Sequence, residues 1–222
     1  MKNDDFVVVT VYYYQIPKNV DAERIYKVCQ KLPSEIRLKA ESFRFENDKI
    51  CYLIGKLMLN RVLEDHARDI RNLKFNEFGK PFIDNFLDFS TSHSEDRIVF
   101  CFSSEGKVGI DIEKITKIHI ENFESILTRN ELNYIDSQKD KSRHFLNIWT
   151  KKEAVLKAMG TGLCDDIVLL ETLNPLVIFK EEIWFFKEID IFPDCIISLG
   201  LSKRNIQIKI YRFNPFCLKI KC

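Results

Sequence analysis

The chain has 222 residues, enough to bury a substantial core as one large domain or two small ones. With 45% hydrophobic and 30% charged residues it has the make-up of a soluble globular protein, and no apolar run approaches the ~20 residues that a membrane helix needs. A formal net charge of +1 gives no bias toward nucleic acid, and seven cysteines without a C-x-x-C spacing argue against a zinc site and a disulfide framework. The thiols are therefore expected to be reduced and mostly packed. The start, MKNDDFVVVT, has an acidic pair where a signal peptide would be basic, so export is not expected and the location is read as cytoplasmic.

In chain order, the β-branched and aromatic run from Phe6 to Ile16 predicts a buried strand ended by Pro17. A first helix is expected to start near Asn19. Ser34 is a candidate cap for a second, with Ile36, Ala40 and Phe43 on its apolar face and Lys39 at the edge of that face. Asn47-Asp48 reads as a break. A third helix should then run from Asp48 to about His66, with Ile50, Leu53, Ile54, Leu57 and Met58 inward. Gly79-Lys80-Pro81 reads as a turn between extended segments. The polar stretch LDFSTSHSED, which holds Ser92 and His93, precedes a strand from Arg97 to Phe102. The Ser-Ser-Glu-Gly-Lys loop after it should close a hairpin into the next strand.

That next strand, Val108 to Glu113, alternates Val108, Ile110 and Ile112 with Gly109, Asp111 and Glu113, so both carboxylates leave one face. They should lie about 7 Å apart and repel by roughly 2 kcal/mol at an effective dielectric of ~20, a sign that a cation between them would reverse. Thr128 and Glu131 have the spacing of a capping box for a helix from Arg129 toward Ile135, followed by a polar link from Lys139 to Arg143. In the helix after it, Trp149, Glu153 and Leu156 share one stripe, which puts Glu153 on the apolar face. Gly160 or Gly162 should end this helix. Three hard-oxygen ligands suit Mg²⁺, with Mn²⁺ as an alternative. The plainer alternatives are a solvated edge strand and an i, i+4 pair of Glu153 with Lys157. Strands are expected over EEIWFFKEI, DCIISLGLS and IQIKIYRF. Helices grouped between runs of strands make the fold class α+β.

The sequence VGID, a gap, and W-T-x-K-E-A-x-x-K resemble the paired signature of the 4'-phosphopantetheinyl transferases, of the larger surfactin-synthetase-activating type. The resemblance implies two similar half-domains related by a pseudo-twofold, each a small, mostly antiparallel sheet packed with helices, at residues 1–105 and 106–222 with the active-site cleft between them. It implies transfer of 4'-phosphopantetheine from coenzyme A to a serine of an apo-acyl or peptidyl carrier protein by a monomeric, cytoplasmic enzyme that engages neither nucleic acid nor membrane. Asp111, Glu113 and Glu153 would hold the metal. Glu153 and Lys157 would be catalytic. Lys39, Gly79, Lys80, Pro81, Ser92, His93, Asp111 and Lys157 would bind coenzyme A. One departure is Cys51, where the family's pattern has an arginine for the 3'-phosphate, leaving Lys39, Lys49 or Lys56 to compensate. The alternatives are another Mg-dependent enzyme that cleaves a pyrophosphate, and a non-catalytic carrier-binding member of the fold. An acidic carrier would be steered by Lys141, Arg143, Lys151 and Lys152, of which Lys151 and Lys152 are expected to point away from the Trp149 stripe.

Overall fold

The computed structural model describes residues 6–217, so the acidic start at Asp4-Asp5 lies outside the described residues. Strand β1 (Val7–Gln15) leads through α1 (Ala22–Cys29), α2 (Ser34–Glu41) and α3 (Glu46–Asp65) to a short ribbon, β2 (Lys74–Phe75) and β3 (Pro81–Phe82), then β4 (Asp88–Ser94) and β5 (Arg97–Ser103). The second half runs β6 (Val108–Lys114), α4 (Arg129–Asp136), α5 (Lys141–Met159), β7 (Leu176–Phe179), β8 (Glu182–Glu188), β9 (Cys195–Leu201) and β10 (Ile206–Arg212). One sheet has the order β10-β1-β5-β4 and the other β6-β9-β8-β7. The pairings β1-β5-β4 and β6-β9-β8 follow the same antiparallel plan, each with helices inserted after its first strand. This is the α+β arrangement of two similar units, although the letters show no repeat.

Alternation along the strands builds the layers. Val9 and Val11 of β1 and Val99 and Cys101 of β5 meet Val108, Ile110, Ile112, Ile197, Leu199 and Leu201 between the two sheets. Tyr12, Tyr14, Ile98 and Phe100 face the other way, onto α3. Gly109 and Gly200 are cross-strand partners on the outer face of the second sheet, under α5. An added Cβ at Gly109 would stand 1.9 Å from the carbonyl oxygen of Ala154, and one at Gly200 2.8 Å from the Val155 nitrogen. The helix backbone thus rests on the sheet, and this seat fixes where Glu153 and Lys157 stand. Gly109→Ala is expected to cost about 3 kcal/mol, the upper range for overpacking, because backbone rather than a side-chain tip must yield. Urea denaturation measures it, and a loss below about 1 kcal/mol would mean that the helix shifts freely.

Several expectations need correction. α1 starts at Ala22, a little later than the expected start near Asn19, with the Asp21 side chain accepting from the Arg24 nitrogen at 3.2 Å. Ser34 is the first helical residue of α2 and Pro33 precedes it. Asn47 and Asp48 do not break the chain but lie in the first turn of α3, where Glu46 and Asp48 favour the positive end of the helix dipole. The polar link before α5 is shorter than expected, since the helix begins at Lys141 with the Asp140 carboxylate accepting from the Arg143 nitrogen. The polar stretch before β5 is itself a strand, β4. No hairpin joins β5 to β6. The turn at Gly106 carries the chain from one sheet to the other, where β6 pairs with β9. Finally, β10 returns to the first sheet, parallel to β1.

Candidate active site

Strand β6 is an edge of its sheet, and edge N–H groups need partners. Side chains of β4 supply them. The Asp88 carboxylate, Ser90 Oγ and Ser94 Oγ accept from the backbone nitrogens of Val108, Ile110 and Lys114 at 2.8, 3.2 and 3.0 Å. This seam puts Ser92 against Asp111: Ser92 Oγ donates to Asp111 Oδ1 at 2.8 Å. Lys157, reaching from α5, donates to the same Oδ1 at 2.6 Å and to Ser92 Oγ at 2.9 Å.

Asp111 is only 3% exposed, and its Oδ2 is buried with no hydrogen-bond partner among the described residues. Such an orphan acceptor is costly and calls for an explanation. Ser94 donates to Glu113 Oε2 at 3.3 Å. Burial, reinforced by the charge of Asp111, pushes the Glu113 carboxyl above its ordinary range. Glu153 is pushed up by burial too; Lys157 opposes the shift and Asp111 adds to it. Three carboxylates that act on one another electrostatically have the oxygen chemistry a hard divalent cation takes, and the orphan Oδ2 is an acceptor without a donor. As placed, no three His, Cys, Asp or Glu side chains among the described residues form a converged metal cluster. The ammonium of Lys157 is the cation that now faces Asp111.

The Gly79-Lys80-Pro81 turn closes the same cleft. Gly79 has φ +85°, a conformation that side chains disfavour. Asn76 Oδ1 accepts from the nitrogens of Phe78 and Lys80 at 3.0 and 2.8 Å, while its Nδ2 donates to the Gly160 carbonyl at 2.7 Å. Lys80 Nζ donates to the Ala158 carbonyl at 2.8 Å and pairs with Asp88 at 2.7 Å. The turn is therefore clasped to the C-terminal end of α5, which stops at Gly160 in the left-handed conformation. Asn76 went unnoticed in the sequence; its only signal is an Asx-type position ahead of a glycine turn. Gly79, Lys80, Pro81, Glu153 and Lys157 line one cavity of about 250 Å³, joined by Lys56 from α3.

Other expected residues fall elsewhere. His93 lies on β4 with its side chain 40% exposed and Nε2 3.9 Å from the Asp48 carboxylate; partial desolvation lowers its pKa, and it is close enough to the acidic corner for the charges of Lys157 and Asp111 to act on it. Lys39 is exposed on α2 and borders a separate groove of about 710 Å³ that Tyr52 and Phe75 also line. Cys51 is buried in the core, its Sγ 3.3 Å from the Glu95 carbonyl oxygen. Lys49 pairs with Glu41 at 2.6 Å.

The expected docking lysines are also spent. Lys152 is fully buried, pairing with Glu131 at 2.9 Å and donating to the carbonyls of Ile167 and Leu170. Lys151 pairs with Glu188 at 3.2 Å and Lys141 with Asp136 at 2.7 Å. The reason is that Lys152, three residues after Trp149, lies on the same side of α5 as Trp149, and α4 with the 165–172 segment covers that side while the sheet covers the other.

A family model described as the 4'-phosphopantetheinyl transferase superfamily matches residues 107–191, the span that holds β6, α5 and the acidic corner. The chain is similar to the 4'-phosphopantetheinyl transferase gsp of Aneurinibacillus migulanus, 32% identical over 70% of this chain and 68% of that one. It is 26% identical to the 4'-phosphopantetheinyl transferase Sfp of Bacillus subtilis, over 69% and 71% of the two chains, and 24% identical to HetI of a Nostoc species, over 91% and 92%. The chain belongs to the 4'-phosphopantetheinyl transferase superfamily, and within it to the Sfp type. It is an enzyme, a 4'-phosphopantetheinyl transferase. Among the described residues no helix is long and apolar enough to cross a membrane.

Proposed function

We propose that the protein transfers the 4'-phosphopantetheinyl group of coenzyme A to a serine hydroxyl of an apo-acyl or peptidyl carrier protein, with Mg²⁺ or Mn²⁺, releasing adenosine 3',5'-bisphosphate. The observation that carries this reading is the Asp111 corner, a buried carboxylate that holds Lys157, itself on the cavity wall, and Ser92 through one oxygen and leaves the other without a partner among the described residues. Asp111, Glu113 and Glu153 are the residues to hold the metal, which supplies charge neutralisation for the transferring phosphoryl and leaving groups. Lys157 and Ser92 orient the diphosphate. The serine oxygen bonds to the phosphorus that carries the pantetheine arm, and the bond from that phosphorus to the nucleotide diphosphate oxygen breaks.

Glu153 accepts no hydrogen bond among the described residues and burial raises its pKa, which suits it to take the serine proton. The cleft lies between half-domains at residues 1–105 and 106–222, with β10 returned to the first. The free cysteines, of which Cys29, Cys51, Cys101 and Cys195 are buried, accord with a reducing, cytoplasmic setting. The test is to incubate the protein with coenzyme A, Mg²⁺ and a panel of apo-carriers and weigh the carriers. One carrier at least should gain a single phosphopantetheine, and gain none in chelator. Coenzyme A cleaved without any modified carrier would instead identify a pyrophosphate-cleaving hydrolase.

A further inference from the structure

The lysines around the cleft have distinct fates. Lys157 is held by Asp111 and Ser92, Lys80 by Asp88 and the Ala158 carbonyl, and Lys49, on the same helix as Lys56, by Glu41. Lys56 lines the cavity beside Glu153 and Lys157, yet no carboxylate or carbonyl among the described residues accepts from its ammonium. Its neighbours are rings, with Nζ 5.4 Å from the centre of Tyr52 and 5.7 Å from that of Phe75. Helix α3 approaches β4 closely at Gly55, where an added Cβ would lie 3.0 Å from Thr91 Cγ2, so the stem of Lys56 starts at the cleft wall. Burial alone pushes the Lys56 pKa down to about 8. Aromatic faces return only part of the cost of desolvating an ammonium without a counter-ion. A cavity that keeps such a cation is built to receive an anion.

Coenzyme A carries anions at two places, the diphosphate and the 3'-phosphate. In the proposed reaction the diphosphate must meet the acidic corner and Lys157, which belong to β6 and α5. Lys56 stands on α3, across the cavity, next to Phe75 and the Gly79 turn. Cys51 faces the core and Lys49 is neutralised, while Lys39 is exposed to water on the groove that Tyr52 and Phe75, the rings beside Lys56, also line. We propose that Lys56 binds the 3'-phosphate of coenzyme A and sets the discrimination against dephospho-coenzyme A. The proposal rests on the coenzyme A reading above.

The test is Lys56→Met, studied by calorimetry with adenosine 3',5'-bisphosphate and adenosine 5'-monophosphate, and by transfer kinetics with coenzyme A and dephospho-coenzyme A. Affinity for the bisphosphate should fall roughly tenfold or more, the loss of one hydrogen bond to a charged group, and affinity for the monophosphate should stay within about twofold. The KM for coenzyme A should rise by the same factor while that for dephospho-coenzyme A does not. Since an unpaired cation is replaced by an apolar side chain, the melting temperature should hold or rise, which separates lost binding from lost folding. Equal losses for both nucleotides, or none for either, would overturn the assignment to the 3'-phosphate. A wild type that transfers from coenzyme A beside a variant that keeps its bisphosphate affinity sinks this assignment alone. A wild type that neither binds the nucleotides nor modifies a carrier sinks the coenzyme A reading with it.

Discussion

Asp111→Ala is expected to lower transfer by roughly 10³-fold while leaving the fold in place, a loss at the upper end of what one preorganised charge contributes to stabilising a transition state. Asp111 gathers the corner: Oδ1 fixes Lys157 and Ser92, and Oδ2 is the unpaired oxygen proposed to meet the metal. Without the carboxylate, Lys157 loses its anchor and the proposed metal set of Asp111, Glu113 and Glu153 loses one of its three donors. Stability should change little by comparison. Lys157 has a side chain 31% exposed and can turn to water, and an orphan buried oxygen is removed along with the favourable contacts. Asp111→Asn is the sharper variant, because it keeps the shape and an acceptor for Ser92 but not the charge. It should fall nearly as far as alanine. Initial rates with saturating coenzyme A and Mg²⁺, read beside melting curves, decide the matter. Transfer within tenfold of wild type in folded Asp111→Asn would move the metal and the chemistry away from this corner.

Much of the corner was legible because it depends on local periods. The period of two in β6 put Asp111 and Glu113 on one face, and the helical stripe of Trp149 and Leu156 put Glu153 toward the protein body. The capping box at Thr128 and the left-handed stop at Gly160 follow from groups within one turn of chain. What escaped the sequence depends on partners far along it. Ser90 and Ser94 look like loop residues because serines are usually solvated, and only the second sheet's edge turns them into acceptors for β6. Gly109 looks like a neutral spacer until α5 lies against it. The parallel return of β10 to β1 has no counterpart in the composition of either strand. Lys152 misled for a different reason. At i+3 from Trp149 it shares the covered side of the helix, and its charge suggests solvent only until Glu131 of α4 is seen to face it.

That covered side carries the largest stability effect expected in the protein. Glu131 and Lys152 are both fully buried and lie 2.9 Å apart. Glu131 Oε1 accepts from the nitrogen and the hydroxyl of Thr172 at 2.9 and 3.1 Å, and Oε2 also accepts from the Thr128 nitrogen at 2.9 Å. The ammonium adds the carbonyls of Ile167 and Leu170. Burial lowers the Lys152 pKa, with Glu131 opposing, so the pair persists only because its lone pairs and protons are satisfied. Glu131→Ala leaves a buried ammonium with carbonyls alone and strands three donors, and should cost about 3–5 kcal/mol. Glu131→Gln keeps acceptors for Thr128 and Thr172 and should cost less. The double variant Glu131→Leu with Lys152→Met removes both charges and should recover part of the loss, but not all, since the Thr172 and Thr128 nitrogens stay unpaired. Lys152 precedes Glu153 in the chain, so the anchor also holds the proposed base against the acidic corner. Urea denaturation of the three variants gives the ordering directly. If Glu131→Ala costs less than about 1 kcal/mol, water reaches the ammonium and α5 is seated by Gly109 and Gly200 alone.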